Sequence, residues 1–440
     1  MVADGLLRLP LTLLLAIPCG ARFGNPGMRP PPRACEALIV MKKMLLAATL
    51  AVALAPVAGL AESAFEACIG DIRAKAVQEG VPADVADRVL GSVRHLDRVI
   101  ELDQRQPEFS TPFVDYLGRR VTTQRIEQGR ALLQTHRALL ERVQAATGIP
   151  PAYLVAFWGL ETNYGSYFGR MSVPSALATL ACNPRRAEYF TEELIAALRI
   201  VEEGAIPLER MEGSWAGAMG HVQFMPSVFL RHAVDGDGDG KRDLWNSIPD
   251  AMMSAGNFLN GLGWDPKYRW GREVLLPHGF DYSQAGRTER RPLNEWRRLG
   301  VTDVHGNPVA DIDLEAALLV PAGHLGPAFL VYPNFNVIMG WNRSEFYALA
   351  VGHLADRISG AGRLHSPPPA HAPRLSRAQV VELQSHLNDH GFDSGEADGI
   401  LGPATRNAIS QYQVAKGMIA DGFPDEALLA RLGIAPKSHQ

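Results

Sequence analysis

The run YLVAFWGLETNYG (Tyr153–Gly165) delivers one carboxylate, Glu161, at the end of an otherwise apolar stretch, beside Trp158 and Tyr164. Apolar and aromatic neighbours disfavour the charged form of a carboxyl group. A glutamate so placed can stay protonated near neutrality and act as a general acid toward a glycosidic oxygen. The competing reading is a glutamate that faces solvent or pairs with an arginine at a helix end. A second stretch, SWAGAMGHVQFMPS (Ser214–Ser227), sets Ser214 and Gln223 among glycine and alanine. Small residues let a backbone approach a polar ligand closely, although a tight helix crossing at Gly217 and Gly220 would use the same residues. A third stretch, DGDGDGKRDLW (Asp235–Trp245), places Asp235, Asp237 and Asp239 at positions 1, 3 and 5 of a loop, with Gly240 at 6 and the Lys241 carbonyl at 7. That is the oxygen pitch of an EF-hand. Position 12 is Asn246 rather than a bidentate glutamate. Three aspartates so close repel one another unless a cation neutralises them, so a structural calcium ion is expected here.

The elements that must carry these residues read mainly as helices. Apolar residues recur at the helical period over Ser63–Val77 and Ile126–Val143, and further helices are expected at Tyr153–Leu160, Glu192–Glu203, Ile248–Leu262 and Arg343–Ile358. Strand signals are few and short, such as Glu273–Leu276. The stretch SPPPAHAPR (Ser366–Arg374), with four prolines in nine residues, reads as a semi-rigid spacer. Beyond it, Leu375–Leu432 has the pattern of a small helical module, with helices at Ala404–Val414 and Asp425–Leu432. Asp398, Gly399 and Thr405 read there as turn and cap residues.

The chain has 440 residues, 47% hydrophobic and 20% charged, with a net charge of −4. It is long enough for two or three domains, and its charge excludes bulk electrostatic binding of nucleic acid. The segment Met41–Ala61, with a basic start, an apolar core and small residues at its end, reads as a secretory signal peptide, and Pro56 and its short core disfavour a transmembrane anchor. Translation is read as starting at Met41 or Met44, so residues 1–61 count as leader. The mature chain then carries two cysteines, Cys68 and Cys182. Export permits a disulfide between them, and two buried free thiols are the alternative. The residues before Cys68 do not make a lipid-attachment signal.

GLETNYG together with AGAMGHVQFMPS, followed by the acidic loop and YPNFNVIMGWNRSEFYA (Tyr332–Ala348), resembles the membrane-bound lytic murein transglycosylase B family, over about Phe65–Ile358. The resemblance implies a lysozyme-like, α-rich catalytic domain (62–365) in an exported protein of the Gram-negative periplasm. It implies that Glu161 is the sole catalytic acid/base on peptidoglycan glycan strands. Glu161 would protonate the oxygen between N-acetylmuramic acid and N-acetylglucosamine and then take the proton of the muramic C6 hydroxyl, leaving a 1,6-anhydro end. Ser214, Gln223, Asn342 and Tyr347 match positions that line the substrate groove, and Asp250 matches a further calcium ligand. The segment 375–440, after the linker 366–374, resembles a three-helix peptidoglycan-binding domain. No cofactor is expected for catalysis, no transmembrane span in the mature chain, and a monomer.

Two rivals stand beside this reading. A hydrolytic muramidase needs a second carboxylate within roughly 5 to 9.5 Å of the first, and a non-catalytic scaffold would only hold glycan. The 13 histidines show no His-Glu-x-x-His spacing, and Ser214 lies in no Gly-x-Ser-x-Gly elbow, so zinc hydrolysis and a serine nucleophile are excluded. The run Asp103–Phe109 is assigned a structural part only.

Overall fold

The computed structural model describes residues 63–104 and 111–435. The expected leader (1–61), with the segment 41–61 read as a signal peptide, and most of the run Asp103–Phe109 lie outside the described residues. By backbone contacts the chain divides into Met1–Cys68, of which only the helical residues 63–68 are described, and Ile69–Gln440. Both described cysteines, Cys68 and Cys182, are disulfide-bonded.

Helix α1 (63–78) is followed by α2 (Ala83–Leu90), α3 (Asp97–Gln104) and α4 (Phe113–Arg120). The expected helix over Ile126–Val143 is two helices, α5 (Thr123–Thr135) and α6 (Arg137–Thr147), broken at His136, whose φ of −101° and ψ of 20° end one and begin the other. At the centre lies α7 (Pro151–Thr162), apolar on every side, with nine of its twelve residues buried. A helix without a polar face can only be enclosed, and α5, α6, α11 (Ile248–Gly261) and α14 (Glu345–Ile358) pack around it. A second buried pair is α8 (Val173–Ala181) on α9 (Ala187–Glu202), which packs against α10 (Pro226–His232).

The expected strand Glu273–Leu276 is present as part of a five-stranded antiparallel sheet, more extensive than the few short strand signals indicated. Its strands are β3 (Gly271–Leu275), β4 (Arg290–Pro292), β5 (Thr302–Asp303), β6 (Glu315–Leu319) and β7 (Ala328–Val331), ordered β4-β6-β7-β3-β5, while β1 (Met171–Ser172) and β2 (Glu212–Gly213) form a separate short pair. β6 and β7 pair through Leu318 with Leu330, and both face a core that includes Trp296 of α12 (Leu293–Arg298), Val301 and Tyr332. From β7 the chain runs into α13 (Pro333–Trp341) and then α14.

The C-terminal module has three helices, α15 (Arg377–Asp389), α16 (Pro403–Ala415) and α17 (Glu426–Leu432), around Val380, Leu383, Ile409, Tyr412 and Leu428. Two buried glutamines organise it by the same device. The Gln384 amide donates to Asp398 Oδ1 and the Ile400 carbonyl and accepts from Gly399 N. Gln413 does the same with Asp421, Phe423 and Gly422. Each Ala-Asp-Gly turn needs its glycine, because φ is +77° at Gly399 and +66° at Gly422. Asp398, Gly399 and Thr405 thus serve turns, Thr405 donating to the Ile400 carbonyl.

The proline-rich stretch does not stand off as a free spacer. The amides of His365 and Ser366 donate to Glu273 at 2.8 and 2.7 Å, Ala372 and Leu375 are buried, and Arg374 binds Asp115 of α4 at 3.0 Å.

Candidate active site

Glu161 is the last but one residue of α7, and the chain reverses directly after it. Asn163, Tyr164 and Gly165 all take positive φ (48°, 61° and 79°). Left-handed backbone at two successive non-glycine residues costs of order 1–3 kcal/mol each and persists only where neighbours enforce it. Here Gly165 N donates to Thr162 Oγ1 at 3.0 Å, the Tyr164 hydroxyl donates to the Arg125 carbonyl at 2.7 Å, and Arg125 reaches Asn163 Oδ1 at 3.3 Å. Gly159 is obligatory, since a Cβ there would sit 2.7 Å from the Tyr164 ring.

The loop 213–224 is tied to this reversal. Thr162 Oγ1 donates to the His221 carbonyl at 2.9 Å, and the Trp158 indole donates to His221 Nδ1 at 3.0 Å. Accepting there requires an unprotonated Nδ1, and burial lowers the His221 pKa to about 4. Gln223, itself left-handed at φ 50°, donates to the carbonyls of Phe168 and Gly220. Ser214 Oγ accepts from the amides of Ala216 and Ala218 at 3.3 and 3.0 Å. The alternative of a helix crossing at Gly217 and Gly220 is overturned: both glycines sit in turns with positive φ, and Met219 and Phe224 close the loop by reciprocal backbone hydrogen bonds.

The third wall comes from α13 and α14. Asn342 follows α13 and accepts from Ser344 N at 3.1 Å, and Ser344 caps α14 by accepting from Tyr347 N. Tyr347, 4% exposed, donates its hydroxyl hydrogen bond to Glu161 Oε1. Burial first, and the adjoining Glu161 carboxylate second, push the Tyr347 phenol well above its ordinary pKa, so it remains a neutral donor. Trp341 bridges the walls, its ring centroid 4.4 Å from Phe157 of α7 and 5.4 Å from Phe224. The aromatic group hydrogen-bonded to Glu161 is therefore Tyr347, whereas Trp158 and Tyr164 pack edge-on against each other, with Trp158 also against His221. Apart from the acidic loop, the motif stretches 153–165, 214–227 and 332–348 contain one other carboxylate, Glu345, and it is ion-paired with Arg287 at 3.1 Å.

Among the described residues, the one candidate metal cluster is Asp235, Asp237 and Asp250, each offering a ligand oxygen within 4.8 Å of the others. Oxygens bound to one calcium ion at 2.3–2.6 Å span that distance. Asp250 is fully buried, and burial raises its pKa. Two further aspartates beside a buried carboxylate fit a bound cation. Amides of Gly238 and Gly240 fix Asp235, those of Gly236 and Asp243 fix Asp250, and Ser247 donates to Asp237. Asp239 stands outside the cluster and accepts from Lys241 N at 2.8 Å.

Sequence reading missed His221, Arg125 and Asp243. Nothing in their local spacing singles them out, because each acts on a segment distant in sequence or through a backbone group.

A buried helix that ends on a hydrogen-bonded glutamate, framed by left-handed turns in an α-rich domain, is a lysozyme-like arrangement. Residues 64–356 match the family described as the transglycosylase SLT domain, and residues 376–432 match the putative peptidoglycan binding domain. The chain is similar to SltB3 of Pseudomonas aeruginosa, solved in complex with NAG-anhNAM-pentapeptide, at 46% identity and a TM-score of 0.80 over 84% of this chain and 99% of that one. It is 29% identical to the membrane-bound lytic murein transglycosylase B of Escherichia coli K12, over 64% of this chain and 80% of that protein. The E. coli lytic transglycosylase Slt35, solved in complex with calcium, matches at 30% identity and a TM-score of 0.58, over 66% of this chain and 92% of that one. The chain belongs to the SLT transglycosylase family. It is a lytic transglycosylase, a lyase of peptidoglycan strands, with a C-terminal peptidoglycan-binding module.

Proposed function

We propose that the enzyme cleaves the β-1,4 bond between N-acetylmuramic acid and N-acetylglucosamine with Glu161 as its single acid/base. The protonated carboxyl gives its proton to the glycosidic oxygen as the bond to C1 breaks. The carboxylate so formed takes the proton of the muramic C6 hydroxyl as O6 bonds to C1, and water is not consumed. The observation that carries this reading is the Tyr347 hydrogen bond to Glu161 in a site whose other motif carboxylate is occupied by Arg287. Holding one glutamate in place while it gives and then receives a proton needs a neutral donor that does not itself titrate, and Tyr347 supplies it. Ser214, Gln223 and Asn342 line the groove as hydrogen-bonding groups on a rigid frame.

The acidic loop holds a structural calcium ion through Asp235, Asp237 and Asp250, with the Lys241 carbonyl as the ligand the spacing adds; Asp239, expected as a ligand, lies outside this cluster. Cys68 and Cys182 bond to each other, in keeping with export to the periplasm. No helix among the described residues is long and apolar enough to cross a membrane. We assign residues 62–365 to the catalytic domain, 366–374 to the strap and 375–440 to the wall-binding module of a monomer.

Digestion of purified sacculi followed by mass analysis tests the proposal. Muramic ends lighter by one water than reducing ends are expected; reducing ends would return the hydrolytic reading, and binding without release the scaffold reading.

A further inference from the structure

The strap and the C-terminal module grip α4 and the first turn of α14, which carries Tyr347. Arg374 binds Asp115 of α4. Arg406 of α16 sets its guanidinium 5.5 Å from the ring centroid of Phe346. Phe346 packs in turn on Phe113 and Tyr116 of α4, at 5.1 and 5.9 Å between centroids. It is the residue next to Tyr347, whose hydroxyl donates to Glu161.

Deeper in the same seam, Asp421 binds across to the catalytic domain. Its Oδ2 accepts from the His324 amide at 2.9 Å and lies 2.7 Å from His324 Nδ1. Its Oδ1 belongs to the Gln413 turn of the module, and the side chain is 1% exposed. A buried carboxylate engaged on both oxygens fixes orientation as well as contact. Glu345 and Arg406 both line a cleft of about 390 Å³ along the seam. The module therefore reaches the acid through a covalent neighbour of Tyr347.

We propose that Arg406 is a positioning residue for the active site: by clamping Phe346 against α4 it sets the first turn of α14 and with it the aim of the Tyr347 hydroxyl at Glu161. This rests on the roles proposed above for Glu161 and Tyr347. A cation over an aromatic face holds the ring most firmly where both are desolvated, and misplacing a catalytic contact by about 1 Å can cost up to about 10²-fold in rate.

The test uses the full chain carrying Arg406→Ala, Arg406→Lys, Tyr347→Phe and the double variant Arg406→Ala with Tyr347→Phe. Anhydro ends are counted on soluble glycan fragments and on sacculi. Arg406→Ala should lower kcat on soluble fragments on the order of tenfold, with KM little changed. Arg406→Lys should recover part of that loss, and Arg406→Ala should cost almost nothing further in the Tyr347→Phe background. If Arg406→Ala does not fold, Arg406→Gln, which removes the charge but keeps most of the aliphatic stem, is read by the same criteria. An unchanged kcat with a raised KM on sacculi alone would make the module a tether and overturn the proposal. So would losses that multiply in the double variant. A wild-type enzyme that releases no anhydro ends would instead sink the underlying reading of Glu161, before any variant is compared.

Discussion

Acid should loosen the joint between α7 and the 213–224 loop, and His221 sets the window. Its ring is 8% exposed and accepts from the Trp158 indole, and burial holds its pKa at about 4 against an ordinary 6.5. In the unfolded chain the same imidazole charges near its ordinary value. Between the two values the unfolded state binds the proton and the native state does not. The stability gained by keeping the ring neutral is therefore complete above pH 6.5 and is lost as the pH falls toward 4. At about 1.4 kcal/mol per pH unit, this linkage is capped near 3 kcal/mol, and residual exposure brings it to about 2 kcal/mol. His353 on α14, also lowered to about 4 by burial, acts in the same direction. His221→Gln should be less stable than wild type at pH 7, yet should lose about 2 kcal/mol less between pH 7 and 4.5. Urea unfolding at both pH values, with calcium fixed, measures the difference, and imidazole NMR reads the titration directly. Parallel pH dependences, or a His221 that titrates near 6.5 in the native protein, would refute the reasoning.

Gly169→Ala should cost about 3 kcal/mol or more and take activity with it, because its Cβ would lie 1.9 Å from the Gly213 carbonyl oxygen at a φ of +95°; a melting curve like that of wild type would contradict the close approach. Calcium at 100 times its dissociation constant should add about 2.7 kcal/mol of stability, and Asp237→Ala should abolish the response. A melting temperature indifferent to chelator would reduce the loop to an acidic turn. Thiol counting on unfolded, unreduced mature protein should find no free cysteine, and two free thiols would break the proposed Cys68–Cys182 pairing.

The sequence made the helical frame legible where amphipathic or wholly apolar periods run long, as in α7, α11 and α14, whose ends fall within a few residues of those expected. It showed one strand, Glu273–Leu276 against the observed Gly271–Leu275, and hid the rest of the sheet, because strands of two to five residues, with β7 buried throughout, leave no alternation to read. It also merged α5 and α6, since the apolar period continues through the break at His136. At the site, the motif residues were visible by type and order. The hydrogen bond joining Tyr347 to Glu161 spans 186 positions, and the carbonyls and amides that hold the left-handed turns carry no side-chain signal at all. The proline-rich stretch has the composition of a spacer, but its buried Ala372 and the Arg374–Asp115 pair bind it down, and those contacts depend on partners far off in the chain.

The central claim is that one carboxyl group both gives and takes the proton, and Glu161→Gln tests it most directly. The amide keeps the size of the side chain and can still meet Tyr347, but it can neither deliver nor receive the proton. General acid–base catalysis contributes about 10²–10⁴-fold, and one residue serving both steps places the loss at or beyond the upper end of that range. The measurement is the rate of anhydro-end release from purified sacculi by wild-type and Glu161→Gln protein, with sacculus binding read alongside. The account predicts binding retained and turnover lost by about 10⁴-fold; turnover above a few per cent of wild type would contradict it and point to another carboxylate.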